Sequence, residues 1–180
     1  MKALIPIANG CEEMEAVIII DTLRRAGWNV TAAGLAAGTI EAANGVKLVP
    51  DTTWDQINPD EFDVLLTPGG FGGTMALCEH EGVRQALRDF DSNGKWIGSI
   101  CASPLALHAA GILEGKRFTC YPGVEKELPE NVQPVDETVV VDGHLITSRG
   151  PGTAFEFALK VIAECSSPNT AAEVRAGLLL

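Results

Sequence analysis

The sequence predicts an α/β protein with a mostly parallel central sheet and helices on both faces, and three observations support this. Short apolar segments alternate along the chain with segments whose apolar residues have helical spacing. Residues 1–34 already contain a strand, a helix and a strand, which must join one sheet through a right-handed crossover. The length of 180 residues fits one folding unit, so residues 1–180 are expected to form a single domain.

The amino-terminal elements follow from apolar periodicity. Residues 2–8 are an apolar run that predicts a buried strand. Residues 13–26 have helical apolar spacing and stop at Gly27, which is typical of a helix and its C-terminal cap. Residues 29–33 predict a second strand. Within residues 38–51, an Asn-Gly pair between β-prone pieces predicts a small antiparallel hairpin.

The middle of the chain places a cysteine at a strand-to-helix junction. Residues 63–67 predict a third strand, which is followed by a glycine-rich loop and a helix over residues 81–91. Residues 95–100 predict the next strand, and Cys101 stands at its end. Residues 102–110 predict a helix whose proline falls in the first turn, where a missing N–H is tolerated.

The carboxyl-terminal part predicts one strand, one hairpin and two helices. Residues 117–120 predict a strand, and an Asp-Gly pair predicts a hairpin within residues 138–148. Thr153 is expected to cap a helix over residues 154–164. The Ala-rich segment from Asn169 onwards predicts a final helix.

Charge and composition exclude several classes of partner. The chain has 13 Lys and Arg against 24 Asp and Glu, a net charge of −11, and no local basic patch. Such a surface repels phosphate backbones and anionic lipids, so we expect no nucleic acid and no membrane as partner. No apolar run approaches the ~18 residues of a membrane span, and the first residues lack a signal-peptide core, so we expect a soluble, cytoplasmic protein.

The five cysteines form no Cys-x-x-Cys pair and no paired Cys/His spacing. This pattern argues against both a disulfide framework and a zinc site. We therefore expect reduced thiols, no metal and no cofactor.

Cys101 is the candidate nucleophile, because it lies at the strand ends where ligands of open α/β sheets bind. The unpaired amides and the dipole of the following helix are expected to lower the pKa of its thiol and favour the thiolate. The alternative is a buried structural cysteine, and position alone leaves both open.

Two further features are expected to surround this cysteine. Glu15 could face the crevice from the first helix, and a buried, protonated carboxyl there could donate a hydrogen bond to the Cys101 thiolate. The glycines Gly69 and Gly70 allow close backbone approach, and the amides of Gly70 and Ala102 could form an oxyanion pocket. Acidic residues are also common at helix starts, and a Gly-Gly pair is also typical of a plain loop. The histidines fall in positions typical of surface or packing residues, which disfavours a Cys-His hydrolase.

Four segments together resemble the DJ-1/ThiJ/PfpI superfamily, and most closely its DJ-1 branch. In chain order they are GCEEMEAV (10–17), LTPGG (66–70), ICASP (100–104) and TSRGPGTAFEFA (147–158). They extend over nearly the whole chain, which makes the set far more specific than any single motif. The resemblance implies a flavodoxin-like three-layer sandwich and a homodimer.

The resemblance also implies a site. It makes Cys101 the reactive elbow cysteine and Glu15 its protonated carboxyl partner. The surrounding pocket is implied to consist of Gly69, Gly70, Ala102, Tyr121 and Pro151. Two positions depart from the family pattern: Tyr121 stands where the best-known members carry a pocket histidine, and Ser103 stands where glycine is common.

Similar proteins are described as glutathione-independent glyoxalases and as deglycases of methylglyoxal or glyoxal adducts. For this chain the resemblance implies a Cys101 hemithioacetal with Glu15 as proton shuttle, and small reactive aldehydes or glycated groups as substrates. The alternative is a redox-sensing stress-response protein or chaperone in which Cys101 is oxidised to sulfinate. A third alternative is a binding domain with an inert thiol.

Overall fold

The structure, a computed structural model, describes residues 1–180 and contains a seven-stranded sheet and a two-stranded sheet. The strands are β1 (Lys2–Ile7), β2 (Asn29–Gly34), β3 (Ile40–Glu41), β4 (Lys47–Leu48), β5 (Thr52–Thr53), β6 (Val64–Thr67), β7 (Trp96–Ile100), β8 (Val139–Asp142) and β9 (Leu145–Ser148). The large sheet has the order β5-β2-β1-β6-β7-β9-β8, and only the β8–β9 pair is antiparallel. The chain builds first on one side of β1 and then on the other, which creates a crevice at the carboxyl ends of β1 and β6.

Six helices cover both faces of this sheet. They are α1 (Glu13–Arg25), α2 (Phe71–Glu79), α3 (Glu81–Ser92), α4 (Pro104–Ala109), α5 (Ala154–Cys165) and α6 (Pro168–Gly177). Helices α1, α5 and α6 pack together on one face, and α2, α3 and α4 pack together on the other. Each face encloses its own apolar core, of 23 and 22 buried residues, so the predicted three-layer α/β sandwich is confirmed.

Helix α1 shows why the sequence folds as it does near the crevice. Acidic residues occupy its first turn and arginines its last, which complements the helix dipole at both ends. Ala16, Ile19 and Leu23 are completely buried against the sheet, whereas Met14 and Val17 are about half exposed on the outer face. Burial of the inner apolar stripe therefore fixes the rotation of the helix.

The predicted hairpin after β2 is confirmed as the small antiparallel sheet of β3 and β4. Its tight turn contains Gly45 with a φ of 86°, a backbone conformation that glycine adopts without steric cost. The second predicted hairpin is confirmed as β8 and β9.

The glycine-rich segment after β6 was predicted to be a loop, and this prediction is wrong because residues 71–79 form helix α2. Tertiary packing overrides the low helix propensity of glycine here. A Cβ on Gly73 would lie 2.6 Å from the Cα of Cys11, so the helix can approach the β1–α1 loop only because that position has no side chain.

The strand predicted over residues 117–120 is also absent. Residues 118–120 are buried, but two backbone N–H groups of the segment donate to side chains rather than to a neighbouring strand: Thr119 N to Thr147 Oγ1 at 2.9 Å, and Arg117 N to Asp142 Oδ2 at 2.7 Å. Side chains take the place of a neighbouring strand, so no ladder forms.

Two helix starts differ from the prediction. The helix predicted over residues 102–110 begins at Pro104 and ends at Ala109. Thr153 does not cap α5, because its hydroxyl accepts from Gly150 N at 3.1 Å and donates to Gly150 O at 2.9 Å, closing the turn before the helix. None of the helices combines the length and the apolar character needed to cross a membrane.

Candidate active site

Cys101 occupies a sharp elbow between β7 and α4. Its φ is 65°, which places a side-chain-bearing residue in the left-handed region, at a cost of about 1 to 3 kcal/mol. The backbone around it compensates: Cys101 N donates to Ser148 O at 3.0 Å, and Cys101 O accepts from Tyr121 N at 2.9 Å. These two bonds, one on each side of the chain, hold the strained residue in place.

Glu15 reaches the same point from the first turn of α1. Its side chain is completely buried, and its Oε2 accepts a hydrogen bond from Gly69 N at 2.7 Å. The other oxygen, Oε1, is buried without a hydrogen bond of ordinary geometry. A Cβ built on Gly69 would lie 2.5 Å from the Cβ of Cys101 and 2.8 Å from Glu15 Oε2, so both side chains border the space above Gly69. The structure therefore brings Glu15 and Cys101 close together.

The burial of Glu15 changes its protonation. Burial raises the pKa of the Glu15 carboxyl to about 7, although the Gly69 amide and the Cys101 thiol partly oppose this rise. A carboxyl with such a pKa exists in both protonation states near neutral pH. It can therefore accept and return a proton during a reaction.

The thiol does not behave as the sequence predicted. Burial and the negative charge of Glu15 raise the pKa of Cys101 to about 12, whereas the amides of Gly70 and Ala102 lower it. Helix α4 begins only at Pro104, so Cys101 is not in its first turn and the expected dipole effect is outweighed. The contribution from Glu15 exists only while that carboxyl is ionised. The thiolate therefore forms most readily when its proton passes to Glu15.

The glycine pair contributes two different backbone groups. Gly69 N is committed to Glu15 and orients the carboxyl, whereas Gly70 N faces the sulfur of Cys101 together with Ala102 N. Gly70 has a φ of 81°, and a Cβ there would lie 2.4 Å from Glu12 N and from Gly10 O, so only glycine fits. Of the predicted pocket residues, Gly70 and Ala102 therefore carry the amides that could stabilise an oxyanion.

Tyr121 and Pro151 lie in a surface groove beside the elbow. The Tyr121 side chain is about half exposed, and its ring lies against Gly150, where an added Cβ would approach Cδ2 to 3.1 Å. Tyr121 and Pro151 line one groove of about 280 Å³ together with Arg149. The groove adjoins the elbow through the bond from Tyr121 N to Cys101 O.

The histidines and the other cysteines play no part in this arrangement. His80 accepts from Val83 N at 3.2 Å at the start of α3, and His144 pairs with Asp91 at 2.9 Å. All five cysteines are free, and burial raises the pKa of Cys120 to about 11. No three His, Cys, Asp or Glu side chains lie together as a metal site would require.

The sequence prediction missed one group of residues at this site. Thr67, Ser99 and Ser103 are fully buried beneath the elbow, and their hydroxyls contact one another at 2.8–3.1 Å. The available signal was a hydroxyl residue near the end of two otherwise apolar strands, DVLLT and KWIGSI.

Comparison with known proteins identifies the group to which this arrangement belongs. Residues 1–164 match the DJ-1/PfpI family. Protein dj-1beta of Drosophila melanogaster is 47% identical over 99% of this chain and 97% of its own. Its crystal structure superimposes with a TM-score of 0.95, covering 99% of this chain and 97% of that one, at 46% identity.

Two further relatives carry activity names. The glutathione-independent glyoxalase DJR-1.2 of Caenorhabditis elegans is 37% identical over 87% of this chain and 84% of its own. The deglycase PH1704 of Pyrococcus horikoshii is 36% identical over 86% of this chain and 93% of its own. With its fold and the whole chain matched in this way, the protein belongs to the DJ-1/PfpI family.

Proposed function

We propose that this protein is a cysteine-dependent, glutathione-independent glyoxalase and deglycase that acts on methylglyoxal, glyoxal and their adducts. The observation that carries the proposal is the buried Glu15 carboxyl, with a pKa of about 7, next to the Cys101 thiol. The names of two relatives, a glyoxalase and a deglycase, give independent support.

The first step is addition of the sulfur to the aldehyde. Cys101 Sγ bonds to the aldehyde carbon, its proton passes to Glu15, and the aldehyde oxygen becomes an alkoxide. The amides of Gly70 and Ala102, which face the sulfur, are placed to stabilise that oxygen until Glu15 returns the proton. The product of this step is a hemithioacetal.

The second step moves a proton between two carbons. Glu15 removes the proton from the carbon bonded to sulfur, which gives an enediolate, and then protonates the neighbouring carbon, while the proton of the hemithioacetal hydroxyl passes to the oxygen on that neighbouring carbon. This converts the hemithioacetal into a thioester of a hydroxy acid. Water then hydrolyses the thioester and regenerates the Cys101 thiol. Methylglyoxal and water thus yield lactate without an external oxidant or reductant.

The test is lactate formation from methylglyoxal by the purified protein. We expect wild type to form lactate, Cys101→Ala to form none above background, and Glu15→Gln to lose at least about 100-fold because a general acid-base group contributes on the order of 10² to 10⁴. A wild-type rate no greater than that of Cys101→Ala would refute the enzyme proposal.

A redox-sensing role is the second candidate. It is favoured by the partial exposure of Cys101 and by the two amides facing its sulfur, which could hold the oxygens of a sulfinate. After mild peroxide treatment, this role predicts a gain of two oxygen atoms on the Cys101 peptide, and a smaller gain in Glu15→Gln. Equal oxidation of Cys101 and Cys165 would argue against it.

We also propose a cytoplasmic homodimer. Val17 on α1 and Val49 after β4 are 48% and 82% exposed, and they line one groove together with Ile20 and Leu48. Burying this apolar surface against a second copy would remove it from water.

A further inference from the structure

The buried hydroxyls beneath the elbow form a connected cluster. Thr67 and Ser99 are register partners at the ends of β6 and β7, and the oxygens of their hydroxyls are 3.0 Å apart. Ser103 Oγ lies 3.1 Å from Thr67 Oγ1 and 2.8 Å from Ser99 Oγ. All three residues are completely removed from solvent, so each hydroxyl depends on the others and on nearby backbone groups for its hydrogen bonds.

Ser103 is the member of the cluster that reaches the backbone of the site. Its Oγ accepts from Ile100 N at 3.1 Å, and its single proton is shared between Ile100 O at 2.8 Å and Thr67 O at 2.7 Å. Ile100 directly precedes Cys101, and Thr67 directly precedes the turn that contains Gly69 and Gly70. One hydroxyl therefore joins the strand end that carries the nucleophile to the strand end that carries the amides.

We propose that Ser103 is a positioning residue that fixes the left-handed elbow of Cys101 relative to Glu15 and to the amides of Gly70 and Ala102. It acts through the Ile100 peptide. The bond from Ile100 N to Ser103 Oγ adds to the β6–β7 ladder, in which Thr67 pairs with Ser99, while Cys101 N continues the ladder to β9. Without Oγ, the elbow loses one of the contacts that hold Cys101 at its positive φ, and only the bonds to Ser148 O and Tyr121 N remain at Cys101 itself. The kinetic part of this inference rests on the proposed function.

The test compares Ser103→Ala with Ser99→Ala as matched control. Ser99 is equally buried and belongs to the same cluster, but its hydroxyl contacts only the side chains of Thr67 and Ser103. The readouts are the pH midpoint of Cys101 alkylation by iodoacetamide, followed by mass spectrometry of the Cys101 peptide, and kcat and KM with methylglyoxal. Ser103→Gly, which removes the same oxygen, replaces the alanine variant if that variant does not fold.

We expect Ser103→Ala to raise the alkylation midpoint by at least about half a pH unit, because a displaced sulfur loses the Gly70 and Ala102 amides. We expect kcat to fall at least about tenfold with KM little changed, and Ser103→Thr, which keeps the hydroxyl, to recover most of the loss. Ser99→Ala is expected to move the midpoint much less.

An unchanged midpoint in Ser103→Ala, or equal shifts in Ser103→Ala and Ser99→Ala, would overturn the assignment. The two proposals fail separately. If wild type forms no lactate, the proposed function is wrong, while the alkylation midpoints still decide the role of Ser103.

Discussion

Glu15 is completely buried and Cys101 is partly buried, and the charge on each disfavours charge on the other. A second negative charge in this space is costly, so the pair tends to keep one proton near neutral pH. That proton can reside on sulfur or on carboxyl oxygen. When the proton resides on Glu15, the pair contains a thiolate nucleophile and a general acid at the same time. Addition to an aldehyde needs both groups.

The raised pKa of Glu15 predicts a pH-dependent stability. The folded-state pKa of about 7 lies above the ordinary value of 4.5, so the folded state binds the proton more tightly than the unfolded state. The stabilisation is complete below the ordinary pKa and is lost as the pH rises through about 7. From about pH 4 to about pH 8, wild type should lose about 3 kcal/mol relative to Glu15→Gln.

Urea unfolding of both proteins at several pH values measures this difference directly. Glu41→Gln, which changes an exposed carboxyl, is the control and should follow wild type at every pH. Parallel stability curves for wild type and Glu15→Gln would show that the Glu15 pKa is not raised in the folded state.

Substitution of Gly69 by alanine is a second test at the residue scale, and it concerns the catalytic rate. An alanine Cβ would lie 2.5 Å from the Cβ of Cys101, 2.8 Å from Glu15 Oε2 and 2.9 Å from Ile100 O, so the reactive groups must move apart. We expect Gly69→Ala to lower kcat/KM for methylglyoxal by about 100-fold, because misplacement by about 1 Å can cost that much.

Gly177→Ala is the control for this substitution, because nothing lies within 4 Å of the added Cβ. Lactate formation and thermal unfolding should be measured together for both variants. Full activity in Gly69→Ala would mean that close approach at Gly69 is unnecessary for the reaction.

At the scale of elements, helix α2 forms although its sequence contains two adjacent glycines, which have low helix propensity. Gly72 and Gly73 stand side by side in it and both lie near the β1–α1 loop that leads to Glu15, but only at Gly73 would an added Cβ come closer than 3 Å to that loop. The glycine-rich sequence favours a loop at this position, whereas packing against the β1–α1 loop favours a helix.

The two glycines should respond in opposite directions to alanine. At Gly73 the Cβ would lie 2.6 Å from Cys11 Cα, so we expect a loss of about 1 to 3 kcal/mol from overpacking. At Gly72 the nearest atom, Gly10 Cα, is 3.4 Å away, so alanine should gain up to about 1 kcal/mol in helix propensity. Denaturant unfolding of the two variants checks this, and equal effects would remove the packing explanation for α2.

At the scale of the whole molecule, one face of α1 and the neighbouring hairpin remain apolar and accessible. The groove lined by Val17 and Val49 measures about 280 Å³, and the Arg24–Asp51 ion pair at 2.7 Å lies at its side. An aspartate at position 17 would place a charge in the proposed contact between copies, and burying an unpaired charge is strongly unfavourable.

Val17→Asp is therefore expected to convert the proposed dimer into a monomer in light scattering. Leu179→Asp changes another exposed apolar residue, 94% accessible and outside the groove, and should leave the dimer intact. A monomeric wild type would refute the homodimer proposal, and a dimeric Val17→Asp would place the interface elsewhere.

Much of the architecture was predictable because it follows from local patterns. Apolar runs of strand length, helical spacing and two turn pairs, Asn44-Gly45 and Asp142-Gly143, determine the α/β class and both hairpins. Two of the failures share a cause: α2 and residues 117–120 take their conformations from distant partners, Cys11 and Thr147, which no local pattern can reveal.

The layered fold and the candidacy of Cys101 and Glu15 can be read from the amino-acid sequence, because strand ends and helix starts are local features. Three properties become visible only once the chain is folded: Glu15 is completely buried, Gly69 N donates to its carboxyl, and the pKa of Cys101 is raised rather than lowered. Burial and the distance between charges depend on which elements meet at the crevice. Those quantities, rather than position in the chain, determine the protonation of the site.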